Sequence, residues 1–184
     1  MPPATRAPLD VAVITDAAVR ILGEFGLGDL SMRRLARELD VRPSALYWHV
    51  ASKQELLGLV GDRLIAEVDA RCPAVAGTHG HNPAAAGTDP RVVCLALRDV
   101  LLGHRDGAEI LLLARALHGS RVRPAALGHL PEDVAANLMS FVLGHVQIEQ
   151  TRAALGAESG VEGDAAGDVP GDFLAGITAL LGHD

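Results

Sequence analysis

SMRRLARELDVRPSALYWHV, residues Ser31–Val50, is the stretch whose reading decides the fold. Its first half sets Met32, Leu35, Ala36 and Leu39 at i, i+3, i+4 and i+7, the spacing that gathers apolar side chains on one face of a helix. Ser31 is placed to cap that helix by accepting a backbone N–H bond that the first turn leaves open. The helix is expected to stop before Pro43, because a proline pushes the preceding residue, Arg42, out of the α region. Pro43 then suits the first turn of a second helix, where its missing N–H costs nothing. That helix carries Leu46 and Val50 on one side and Ser44, Tyr47, Trp48 and His49 elsewhere. Two short helices joined by a tight turn, the second polar and aromatic, form the pattern of a helix-turn-helix, whose second helix enters a DNA major groove.

The charge around this stretch agrees with that reading. The 184-residue chain carries a net −7, which excludes a globally basic coat. Between Ser31 and Lys53, however, five basic residues (Arg33, Arg34, Arg37, Arg42, Lys53) stand against Glu38 and Asp40, a local charge of +3. A DNA reader needs a basic face and not a basic protein. At 49% hydrophobic residues the chain can bury a core in one or two domains. Cys72 and Cys94 are too few and too far apart for a disulfide framework or a zinc site, and are expected as reduced thiols. No charged leader precedes a long apolar run, and runs such as Ile110–Ala114 fall far short of a membrane span. A cytoplasmic protein without membrane contact is the expectation.

Outward from the central stretch, every readable element is helical. Asp10 caps a first helix with Ile14, Ala17, Ala18, Ile21, Leu22 and Phe25 on one face, and Gly26 and Gly28 end it. Ser52-Lys53-Gln54-Glu55 has the form of a capping box. A long helix follows, with Leu56, Val60, Leu64 and Val68 on one side and Leu57, Leu59 and Ile65 widening the face. Residues 71–90 are rich in Gly, Pro and Ala and read as a loop. Its His79 and His81 lack a third ligand and make a poor metal site. Asp89-Pro90 opens a helix that turns Val93, Leu97, Val100 and Leu101 inward and ends near His104–Gly107. A strongly apolar helix spans Gly107–Leu117. Residues 119–130 connect it to a longer helix that starts at Pro131-Glu132-Asp133, runs to about Leu155 and shows Val134, Leu138, Phe141, Val142, His145 and Ile148 as its apolar face. Gly156–Gly171 reads as a flexible linker, and Phe173–Leu181 as a last short helix closed by Gly182.

The run LARELDVRPSALYWHVASKQELL resembles the DNA-binding signature of the TetR family of bacterial repressors, and LYWHV followed by Lys53 is close to the tetracycline repressors. The similarity covers residues 9–70 and returns more faintly at Leu101–Ala108 (LLGHRDGA) and Leu143–His145. It implies an all-α chain: a helix-turn-helix head over residues 1–52, a connecting helix over 53–70, and a helical ligand-binding and dimerisation body over 71–184. The implied function is a transcriptional repressor that binds a near-palindromic operator as a homodimer and is released by a small apolar ligand, with neither catalysis, cofactor nor metal. The competing reading is a helical enzyme or ligand-binding protein, with His104 as a base oriented by Asp106. No activated serine, cysteine or lysine has a spacing that would complete a nucleophile.

On the resemblance, Arg33 reads a guanine, for which the arginine fork is suited. Arg42, Pro43, Ser44 and Ala45 form the tip of the recognition helix and depart from the tetracycline repressors, which implies a different operator. Tyr47 and His49 match phosphate-contacting positions, and Lys53 reaches a phosphate beside the positive end of a helix dipole. Trp48 packs on DNA or braces the head. Of Arg34 and Arg37, one is expected to face solvent or an acid such as Glu38. Arg6 sits in an arm of the kind that in this family sometimes touches the minor groove. The implied ligand lining is Leu97, Leu101, Leu111, Arg115, His118, Leu138, Phe141 and His145, apolar with a few polar groups. Where tetracycline repressors hold a magnesium–tetracycline complex with His, Asn, Phe and His, this chain has Asp69, Val93, Leu97 and Leu111. His145 alone persists among the metal-side histidines, so no response to that chelate is expected. The last two helices, Val134–Gln150 and Phe173–Leu181, are assigned to the dimer interface.

Overall fold

The computed structural model describes residues 8–73, 88–159 and 171–182, and among these it contains eight α-helices and no strand. The His79–His81 pair and Arg6 lie outside the described residues. Helix α1 spans Val11–Phe25, and the Asp10 carboxylate caps it by accepting the Val13 N–H at 2.8 Å. It ends at Gly26, whose φ of +80° needs no Cβ to be accommodated. Gly28 takes a different part, inside a 3-10 turn over Leu27–Asp29.

Helix α2 covers Met32–Glu38 and is capped by the Ser31 hydroxyl, which accepts the Arg34 N–H. It stops earlier than Pro43 requires. Asp40 adopts a left-handed φ of +50°, its N–H bonds the Arg37 carbonyl, and the Val41 N–H bonds the Ala36 carbonyl. That pair of bonds is a Schellman motif with aspartate in the usual glycine place. Helix α3 is a single turn, Pro43–Leu46, and does not reach Val50 as the sequence pattern predicts. The Leu46 carbonyl accepts both the His49 and the Val50 N–H, so the segment continues as a tight turn.

Helix α4, Lys53–Arg71, starts on the expected capping box. The Ser52 hydroxyl accepts the Glu55 N–H at 3.1 Å, and Glu55 accepts the Ala51 N–H at 2.6 Å. α4 packs against α1 in the head and against α5 (Pro90–Leu102) and α6 (Gly107–His118) in the body. Gly61 lets α6 come close, since a Cβ there would lie 2.5 Å from that of Ala114. One continuous core therefore runs from Ile14 through Leu35, Leu46, Leu56 and Leu64 to Leu97, Leu111, Leu138 and Phe173.

Helix α7, Glu132–Ser159, is longer than expected and continues past Gly156, a residue that an interior helix position tolerates at a cost of about 1 kcal/mol. Its buried stripe is Ala135, Leu138, Met139, Val142, Leu143 and Val146. The sequence pattern shares Leu138 and Val142 with this stripe and has Val134 and Phe141 packed at its edge, but it misses Ala135, Met139, Leu143 and Val146, and its Ile148 is 51% exposed. The reason is that α7 has two apolar sides. One meets α5 and α6, and the other carries Phe141 and His145 against α8, Gly171–Leu181. No helix among the described residues is long and apolar enough to cross a membrane.

Candidate nucleic-acid interface

The head sorts its basic residues by whether they have an acid partner. Arg34 reaches Asp29 Oδ1 at 2.9 Å and lies 3.6 Å above the Phe25 ring, so it ties α2 to the end of α1. Arg20 faces Glu38 at 3.9 Å and Arg63 faces Asp16 at 3.7 Å. Among the described residues, Arg33, Arg37, Arg42 and Lys53 have no carboxylate within ion-pair distance. Arg33, Arg37 and Arg42 are exposed and Lys53 half-buried. Exposed positive charge that the fold leaves unneutralised is suited to a polyanion.

The turn that carries α3 is pinned from inside and open on its outer side. Leu46 and Val50 are fully buried and pin it to the head. Pro43, Ser44, Tyr47, Trp48 and His49 are exposed on the other side, with Ala45 half-buried. The Trp48 indole is 89% exposed, which overturns the option that it braces the head.

The eight residues expected to line a ligand site fall in four places. Leu97, Leu101, Leu111 and Leu138 are fully buried in the shared core. Phe141 stacks on Phe173 of α8 with ring centroids 5.8 Å apart, and His145 meets the same ring edge-on at 5.4 Å. Arg115 donates to the Val122 carbonyl at 2.8 Å, and burial holds its guanidinium below the ordinary arginine range, with Arg123 adding to the effect and Glu132 opposing it. His118 lines an open cleft of about 440 Å3 with Glu55, Gly58, Leu59, Asp62, Leu117, Arg121 and Val122. Asp69 and Val93, two of the positions compared with the tetracycline chelate site, are spent otherwise: Asp69 accepts the Ala125 N–H and Val93 is buried.

His104 and Asp106 do not form the pair that an enzyme reading needs. His104 Nε2 sits 3.0 Å from Glu67 of α4, while Asp106 accepts the Leu27 N–H of the head at 2.7 Å. Arg105 donates to the Glu24 carbonyl. Gln150 of α7 donates to the Leu101 and His104 carbonyls and accepts the Ala108 N–H. The corner between α5 and α6 thus grips the head, α4 and α7 together. A buried guanidinium, Arg98, is not foreseen from the sequence. It bonds Glu149 through two contacts of 3.1 and 2.6 Å and lies 5.8 Å from the Phe173 ring centroid. The signal is there to find, since Arg98 falls on the inward stripe of α5 beside Cys94, Leu97 and Leu101.

Known proteins resemble the chain at both levels. The model of "Bacterial regulatory proteins, tetR family" matches residues 14–60. The tetracycline repressor protein class D of Escherichia coli is 35% identical over 113 residues, 59% of this chain and 47% of that protein. An HTH-type transcriptional regulator of Saccharopolyspora erythraea is 34% identical over 142 residues, 77% of this chain and 54% of that protein. The chain therefore spans about half the length of the curated relatives it matches. The crystal structure of BioQ from Mycobacterium smegmatis superposes with a TM-score of 0.68 at 32% identity, covering 94% of this chain and 96% of that one. A structure of BioQ with its double-stranded DNA operator matches over the same shares, with a TM-score of 0.66 at 31% identity. With a family model over the head and a likeness that runs nearly end to end, the chain belongs to the TetR family of bacterial regulatory proteins.

Proposed function

We propose that this chain is a transcriptional repressor that binds a near-palindromic operator as a homodimer and leaves it when a small apolar molecule enters the body. Residues 1–52 act as the DNA-binding head, 53–70 as the lever and 71–184 as the ligand-binding and dimerisation body. The observation that carries the reading is the head itself: Arg33, Arg42 and Lys53 without acid partners among the described residues, beside exposed Tyr47, Trp48 and His49 on a turn pinned by Leu46 and Val50. Its relatives support it, since one BioQ structure holds operator DNA and one structure of ActR from Streptomyces coelicolor holds the small molecule (S)-DNPA. Two heads would enter successive major grooves roughly 34–36 Å apart. A ligand that binds better when that spacing is wrong lowers DNA affinity by its differential affinity and no more.

The test is selection of bound duplexes from a random-sequence library, followed by anisotropy titration of the recovered duplex. Arg33→Ala is expected to weaken binding roughly 5- to 150-fold, the 1–3 kcal/mol that a good base contact contributes, and Tyr47→Ala, which removes a phosphate contact, to weaken binding alike on every sequence. Recovery of no enriched sequence by a folded dimer would overturn the reading.

A further inference from the structure

Helix α2 has two exposed flanks, and the fold treats them differently. On the flank toward α1, Arg34 is held by Asp29 and Phe25, and Glu38 faces Arg20. On the other flank, Arg33 and Arg37 are exposed and, among the described residues, lack any carboxylate within ion-pair distance. They are four residues apart and so stand over one another on the helix surface. Like charges at that spacing repel, and α2 has only seven residues with which to withstand the repulsion. The chain does not lack acids, with 23 acidic residues against 16 Lys and Arg. Arg20, Arg34 and Arg63 nearby each have one. A repulsive pair left open in so acidic a chain suits a partner that brings its own negative charge. In a helix-turn-helix the first helix crosses the DNA backbone while the second enters the groove.

We propose that Arg37 is a second DNA contact on α2, taking the backbone phosphate beside the base that Arg33 reads. The two arginines then hold α2 along the strand and set the register in which α3 enters the groove. This rests on the DNA-binding reading above. Arg37 carries no sequence information of its own, because phosphate contacts position and base contacts specify.

The test is the salt dependence of binding to the selected duplex between 50 and 200 mM KCl, for the full chain and its Arg37→Gln, Arg37→Lys and Arg63→Gln variants. Removing one phosphate partner should flatten the slope of log K against log salt by about 0.9, hence about 1.8 for two heads. The advantage of the wild type over Arg37→Gln should then shrink about 12-fold across that salt range. Arg37→Lys should restore the slope, and Arg63→Gln, which removes the same charge where Asp16 already neutralises it, should leave the slope near wild type. An Arg37→Gln slope equal to that of Arg63→Gln would overturn the proposal while leaving the repressor reading standing. A wild type that binds without a steep slope would overturn the reading beneath it. Thermal melts of all four proteins distinguish a missing phosphate bond from an unfolded head.

Discussion

Asp106 is the residue at which head and body meet most directly. It sits in the left-handed region at φ +57°, where aspartate is tolerated better than most residues, and from there its carboxylate accepts the Leu27 N–H. Asp106→Ala should destabilise the protein by about 1–3 kcal/mol, because it orphans a partly buried amide and leaves a Cβ in a strained conformation without compensation. Asp106→Asn keeps a side-chain oxygen and the tolerance for that conformation, so it should cost much less. Urea unfolding of the two variants checks the difference, and equal losses would count against the latch. Cys94 makes a second prediction at this scale. Burial, and behind it the Asp89 carboxylate, push its thiol from an ordinary 9.0 up to about 12. Between those values the unfolded chain has released a proton that the folded chain keeps, so stability must fall as pH rises from about 9 toward 12. Each pH unit in that window removes about 1.4 kcal/mol. Unfolding free energies at pH 8 and pH 10.5 should therefore converge for wild type and Cys94→Ala, and a gap that stays constant would exclude this linkage.

At the scale of elements, the contact between α4 and α6 is set by what α4 lacks. Gly61 admits Ala114, and Gly58 lies under the His118 ring. Gly61→Ala improves helix propensity by about 1 kcal/mol but overpacks the contact, a change that typically costs about 1–3 kcal/mol. A net loss is expected, together with positive coupling to Ala114→Gly in a double-mutant cycle followed by chemical denaturation. Additive effects would mean that the two helices are free to separate. How far the elements were legible depended on range. The caps at Asp10, Ser31, Ser52 and Asp89 each act within three residues, and all four stand where the pattern puts them. The rotation of α7 was legible only in part, at Leu138 and Val142. Its apolar residues cover two sides, and a periodicity that wide does not say which side meets α5 and α6 and which meets α8.

At the scale of the whole molecule, one core joins head to body through α4, so a displacement in the body has a mechanical route to the recognition turn. The proposed dimer would use what the single chain leaves bare on α7 and α8. Ile148 is 51% and Leu174 38% exposed, and α8 carries no charged residue from Phe173 to its end. Ile148→Glu should shift the protein toward monomer in light scattering and weaken operator binding in proportion, because two linked heads gain an effective concentration that one head lacks. A variant that stays dimeric would move the interface elsewhere.

The sequence by itself determined that the chain is helical, where its caps stand and where the helix-turn-helix lies, and through the run from LARELD to KQELL it determined the family. These depend on bonds and periodicities that close within a few residues, and a linear pattern records them directly. Tertiary structure alone decided which charges are spent inside the protein and which remain for a partner. Arg34 is consumed by Phe25 and Asp29 while Arg33 and Arg37, among the described residues, are left open. Arg98 is buried on Glu149, 51 residues away, and Asp106 reaches Leu27 across 79. The difference is physical: a charge is neutralised by whatever packing brings within about 4 Å, and spacing along the chain does not limit that choice.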